Sequence, residues 1–245
     1  MRRRRRSPVR TALTLILLAV TLTVLVSLGS WQVRRLHWKE ALLSEIAERR
    51  AMPPVKVEEI SALLASGSDV DYRPVELRGT FDHAREQFFF ATFNGETGYY
   101  VYTPMTIAGG NIVFVNRGFI PYDKKDAALR QAGEVQGDVT VRGLARSRLG
   151  GKPSWFVPEN DLQKNIFYWK DLDAMAVHAG LDKTRVLQFF VDADATPNPG
   201  NMPVGGVTQF DFPNNHLQYA VTWYGLAAVL AVISGVYWRR NRKAR

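Results

Sequence analysis

Two long stretches without charge constrain this chain more than any other feature. No charged residue occurs over the 23 positions from Thr11 to Val33, and none over the 22 positions from Leu217 to Trp238. About 20 apolar residues in a helix cross a hydrocarbon core roughly 30 Å thick, so both stretches are long enough to span a membrane. A chain of 245 residues with one such segment near each end keeps 183 residues, 34–216, for a single body on one side of the bilayer. The expected order is a basic tail (1–10), a first transmembrane helix (11–33), the body (34–216), a second transmembrane helix (217–238) and a second basic tail (239–245).

The charges give the expected orientation. Six Arg lie in residues 1–10 (Arg2 to Arg6 and Arg10), and Arg239, Arg240, Arg242, Lys243 and Arg245 follow the second stretch. Lys/Arg-rich flanks stay on the cytoplasmic side, so both ends are expected there, with the body periplasmic, in a bacterial inner membrane. The tails hold +11 of a net +9, which leaves −2 for the other residues. A slightly acidic body does not bind nucleic acid through its field. Ser27-Leu28-Gly29 resembles a signal-peptide cleavage site, but the apolar run exceeds the 7–15 residues usual in such signals. An uncleaved anchor is expected. With an anchor beginning at Thr11, a mitochondrial presequence is not expected. The chain has no Cys, which excludes disulfides, thiolate metal sites and Cys nucleophiles.

Within the body, Trp38, Leu42 and Ile46 fall four apart and predict that a helix over residues 34–52 continues out of the membrane until Pro53-Pro54 stops it. Ser61 to Asp71 reads as a Ser/Gly-rich connection. Strand patterns dominate residues 72–192. They cover Val75–Phe81, Gln87–Phe93 and Tyr99–Ile107, with a hairpin turn at Asn94-Gly95, then Ile112–Val115, Val139–Leu144, Ile166–Trp169 and Val186–Val191. Leu172 to Ala179, ended by Gly180, predicts the one helix among them. The expected fold is a mainly antiparallel β barrel or sandwich flanked by two transmembrane helices. The Pro/Gly-rich residues 193–213 read as a linker back to the membrane.

The body carries no catalytic signature. GxSxG, HExxH and P-loop patterns are absent, and Gly150-Gly151-Lys152-Pro153-Ser154 has the wrong spacing for a phosphate loop. His37, His83 and His178 each have a plain structural reading, His178 as a last-turn histidine meeting the helix dipole. His216 opens the second apolar segment. With Tyr219, Ala220 and Trp223 it falls at i, i+3, i+4 and i+7, on one helix face. Two readings stay open at this point: an interfacial belt of aromatics, or an imidazole placed to ligate a haem.

Four segments resemble the surfeit-locus protein family, the assembly factors of haem–copper cytochrome c oxidase. They are Gly29-Ser30-Trp31-Gln32-Val33-Arg34-Arg35-Leu36-His37-Trp38-Lys39, Arg73 to Phe81, Val115-Asn116-Arg117-Gly118-Phe119-Ile120-Pro121, and Pro213-Asn214-Asn215-His216 continuing to Gly225. The resemblance implies a membrane protein that is not an enzyme. It implies haem a as cargo, with oxidase subunit I and other oxidase assembly factors as partners. It also implies that His216, of the Asn-Asn-His motif, contacts the haem; Tyr219 and Trp223, on the same helix face, are then expected to pack against the ring edge. Arg117 has two readings: a turn residue capping carbonyls, or a bidentate partner of a haem propionate. The alternative function is a two-anchor scaffold such as a polysaccharide chain-length regulator, which would call for a long helical body.

Overall fold

The structure, a computed structural model, describes residues 8–210 and 213–243. Arg2 to Arg6, Arg245 and residues 211–212 of the expected linker lie outside the described residues. The chain forms two compact units, one of residues 1–45 with 211–245 and one of residues 46–210.

The first unit is built on two helices. Helix α1 runs unbroken over Pro8–Ala51, 44 residues, and takes in both the first apolar stretch and the helix expected after it. Met52 precedes Pro53, whose ring disfavours the helical conformation in the residue before it, and the helix stops there. Helix α4 spans His216–Lys243. In the most apolar windows of the two helices only 6% and 11% of residues are buried within the chain. A core helix of a soluble protein buries such residues; these leave them for lipid.

The second unit is a barrel. Its strands are β1 (Pro74–Phe81), β2 (Gln87–Phe93), β3 (Glu96–Ile107), β4 (Ile112–Pro121), β5 (Asp138–Ser147) and β6 (Val186–Ala193), with helix α2 (Val57–Ala65) before them and α3 (Leu172–His178) between β5 and β6. The sheet order is β1-β5-β6-β4-β3-β2, and an added β1–β3 pairing closes five of the strands into a ring with β2 outside it. Among the six described strands, β4 and β6 are the one pair that runs parallel. Without β2 the ring has the strand order 1-2-3-5-4-1, the Greek-key barrel of the OB type. Asn94 and Gly95 both take positive φ, 50° and 83°, as a two-residue β2–β3 hairpin requires.

Alternate residues fill the barrel. Val75 and Leu77 of β1, Met105 of β3, Val113 and Val115 of β4, and Phe189 and Val191 of β6 form one buried cluster, joined by Val57 and Ile60 of α2. The opposite faces of β3, β4 and β6 present Tyr102, Phe114 and Phe190, and Leu172 and Met175 of α3 cover them together with Phe167. The outer face of these strands is therefore packed by the chain itself.

Four expectations need correction. Strand β4 continues past Val115 to Pro121 because nine of its ten residues are buried; a strand covered on both faces loses the polar alternation that marks one. Ile166–Trp169 is not a strand of the sheet. It makes two isolated bridges, Ile166 to Asp161 and Phe167 to Phe89, the second through Phe90 N to Phe167 O and Phe167 N to Phe88 O, both 2.8 Å. Ser61 belongs to α2 rather than to a loop, since Val57, Ile60 and Leu64 share the face that meets the barrel core. Residues 193–206 are not a free linker: Phe119 and Val204 exchange both backbone hydrogen bonds at 2.8 Å.

Candidate functional site

Helices α1 and α4 meet through small and polar residues. Gly29 is buried, and a Cβ placed on it would lie 2.9 Å from the Tyr224 ring. Ser30 Oγ and Tyr224 Oη are 2.9 Å apart. Without a hydrophobic drive between helices in lipid, such close approach and interhelical hydrogen bonding supply the attraction. One turn further along α1, Gln32 is only 9% exposed, and its Oε1 lies 2.7 Å from Nδ1 of His216. An amide oxygen can only accept, so Nδ1 is the donor, and in the neutral imidazole the lone pair is then on Nε2. Lys39 Nζ donates to the carbonyl of Pro213 at 2.6 Å, tying down the turn that leads into α4.

The residues expected to share a face with His216 divide. Ala220 is buried, and Trp223 and His216 are partly buried. Tyr219, at 53% exposure, sits at the edge of that face. The sequence reading passed over Gln32, although one signal was present. An amide inside an otherwise apolar stretch is costly unless it finds a partner.

Arg117 belongs to the other unit. Its side chain is 2% exposed, and its Nη2 donates to the carbonyl of Gly133 and, at 3.1 Å, to Asn198 Oδ1. Its guanidinium also lies over the Phe81 ring, 4.9 Å from the centroid. Of the two readings of Arg117, carbonyl capping is the one its hydrogen bonds make. The carboxylate facing it is Glu86, with Arg117 Nη1 at 3.6 Å and Arg130 Nη2 at 2.5 Å. His83 completes the cluster, its Nε2 at 2.9 Å from the carbonyl of Val135 and its Nδ1 at 3.3 Å from Arg117 Nη1. Burial alone would raise the Glu86 pKa. The hydrogen bond to His83, then those from Arg130 and the two positive charges, bring it below its ordinary value. Burial lowers the Arg117 pKa, and Glu86 opposes the shift. Among the described residues no three His, Cys, Asp or Glu side chains gather as a metal site.

The family model of the SURF1 family matches residues 19–228, which take in α1 from its apolar part, the whole barrel and the first half of α4. The chain belongs to the SURF1 family. It is 36% identical over 222 residues to Surfeit locus protein 1 of Rattus norvegicus, covering 84% of this chain and 69% of the rat protein. It is 34% identical over 235 residues to Surfeit locus protein 1 of Homo sapiens, covering 89% of this chain and 75% of the human one. With the Takifugu rubripes protein the identity is 34% over 218 residues, covering 82% and 87%.

The four segments that resemble the SURF1 family fall into two structural groups. Gly29–Lys39 and Pro213–Gly225 supply the helix pair, including Gly29, Gln32, His216 and Tyr224. Arg73–Phe81 and Val115–Pro121 lie on β1 and β4, and meet where the Arg117 guanidinium covers the ring of Phe81. Asn116, beside it, donates to Asp192 Oδ1 at 2.9 Å and accepts from Gly118 N at 3.1 Å. Asn-Arg-Gly thus organises the barrel, and Asn-Asn-His the helix pair.

Proposed function

We propose that this protein is an assembly factor for haem–copper cytochrome c oxidase, anchored by α1 and α4 with its barrel on the outer side of the cytoplasmic membrane, and that it holds haem a as cargo at His216 for oxidase subunit I. Membership of the SURF1 family supports the assembly role. The observation that carries the haem reading is the His216 ring itself: its Nδ1 is bound to Gln32 across the helix pair, which leaves Nε2 as the ligating nitrogen. Apolar helix surface on either side suits a macrocycle, and Trp223 and Tyr219 are near enough along α4 to pack against one. Arg117 takes no part in the proposed contact, since its donors are engaged within the barrel. The role proposed is binding and hand-over, without catalysis.

The test is the Soret absorbance per protein of chain purified from cells that make haem a. His216→Ala is expected to insert in the membrane as the parent does, to lose most of the haem and to lower the yield of active oxidase. Equal haem in the two proteins overturns ligation by His216. A reporter active only outside the cytoplasm, fused after residue 120 or at residue 245, checks orientation; activity at 245 with silence at 120 overturns it.

A second reading, docking without cargo, has one observation in its favour. Trp155 and Phe156 are 90% and 72% exposed, an adjacent aromatic pair whose apolar area a docking partner would remove from water. The chain-length-regulator version of the scaffold reading called for a long helical body and gains no support from a barrel.

A further inference from the structure

We propose that Gln32 is a positioning residue for haem ligation: its carbonyl oxygen holds His216 as the Nδ1–H tautomer and so reserves Nε2 for iron. This rests on the reading of His216 as the haem contact. The two residues stand 184 positions apart in the chain, on different helices, yet Oε1 and Nδ1 are 2.7 Å apart. Gln32 is the residue of the first apolar stretch whose amide needs a partner, and it is nearly fully buried. The approach of the helices that makes the contact depends on Gly29 against Tyr224. A bond that only fastened the helices would work with either ring nitrogen. Fastening Nδ1 with an acceptor does more. It fixes the tautomer, restricts rotation of the ring and raises the basicity of the distal nitrogen, the part that an outer-shell acceptor plays behind a metal-bound histidine.

The position of Gln32 also separates two demands. A carboxylate there would pull the proton harder and make the bound imidazole more like imidazolate, but it would place a charge at the membrane boundary. A neutral amide orients the ring without that cost. It also keeps the iron–nitrogen bond weaker than a carboxylate would, which suits cargo that must leave.

The experiment uses the full chain in detergent or nanodiscs, as parent, Gln32→Leu, Gln32→Glu and His216→Ala. Carbon-13 and nitrogen-15 spectra of the histidine rings, assigned by the signal missing in His216→Ala, report the tautomer without haem. The parent is expected as Nδ1–H and Gln32→Leu as mainly Nε2–H. Haem titration is expected to show affinity reduced about 10- to 100-fold in Gln32→Leu. In Gln32→Glu haem is expected to bind with a more negative reduction potential than in the parent. An unchanged tautomer in Gln32→Leu overturns the proposal. So does reduced haem binding with parental tautomer and potential, which would reduce Gln32 to helix packing. Parental haem binding by His216→Ala overturns the underlying haem reading instead, whatever the tautomer of the Gln32 variants.

Discussion

Arg117 Nη1 lies 3.6 Å from Glu86 Oε1, with both side chains all but removed from solvent. One carboxylate thus faces two guanidiniums, those of Arg117 and Arg130, which also donate to main-chain carbonyls of Gly133, Lys124 and Lys125. Removing one member of a buried ion pair leaves the other charge uncompensated, at a cost of about 3–5 kcal/mol. Glu86→Gln is therefore expected to destabilise the barrel by about that much, read as a lower denaturation midpoint by near-ultraviolet circular dichroism in detergent. A change under about 1 kcal/mol would place the network among weakly coupled surface pairs.

The same carboxylate sets a pH dependence. The folded Glu86 pKa lies below its ordinary value of 4.5. Its contribution is fully present above that value and is lost as pH falls from there through the lowered folded value, because the unfolded chain takes up the proton first. The parent should lose thermal stability over that acid window more steeply than Glu86→Gln does. Parallel curves would assign the acid loss to other carboxylates.

Gly118 shows why the Asn-Arg-Gly segment ends in glycine. Its φ is +126°, and a Cβ there would lie 1.9 Å from the carbonyl oxygen of Val204. Backbone sits where the side chain would be, so nothing can rotate away. Gly118→Ala should destabilise the protein by about 2–5 kcal/mol, combining backbone strain with overpacking, and should expose residues 198–205 to proteolysis. Parental stability and protease resistance would show that this return segment packs more loosely than its hydrogen bonds imply.

How far the sequence reveals the fold depends on whether a segment's burial is one-sided. Gln87–Phe93 and Val75–Phe81 were legible because turn residues bound them and, in β1, because polar and apolar residues alternate. The second half of β4 was not, because Asn116, Arg117 and Gly118 look like a turn until a partner shell makes their polarity tolerable inside. Residues 198–205 were illegible for a related reason. Pro and Gly mark bends, but they do not say whether the extended residues between them pair with a strand, and here Val204 pairs with Phe119. For the candidate site, His216 could be found from its place at the start of an apolar helix. The Gln32 contact could not, since nothing local to residues 29–39 reveals which face of α1 meets residue 216.

Trp155 and Phe156 stand in a T-shaped pair with centroids 6.0 Å apart, and both are largely exposed. Substituting exposed side chains usually changes stability by no more than about 0.5 kcal/mol. The double change Trp155→Ala, Phe156→Ala should therefore leave the thermal midpoint and the haem per protein unaltered. If this loop docks on an oxidase partner, the yield of assembled oxidase should fall in cells relying on the variant. Parental yield at equal protein level would remove the loop as a docking element.

The helix pair gives the last prediction. Gly29 leaves no room for a side chain, since a Cβ there would lie 2.9 Å from Tyr224 Cε1 and 3.0 Å from Cζ. These are atoms of a movable ring rather than backbone, so Gly29→Ala can be met by a shift of Tyr224 of a few tenths of an ångström. Gly29→Leu cannot, and it must either displace the ring and break its bond to Ser30 or push the helices apart. Gln32 lies three residues further along the same face, so separation there stretches the bond to His216. Gly29→Ala is expected to keep parental haem occupancy, and Gly29→Leu to lose it while still inserting in the membrane, because leucine favours insertion. The measurement is again Soret absorbance per protein, with the His216 tautomer signal as the structural control. Haem loss in Gly29→Leu accompanied by loss of the Nδ1–H signature would tie ligation to helix approach. Retention of both would mean that α1 and α4 can accommodate the added volume without moving Gln32.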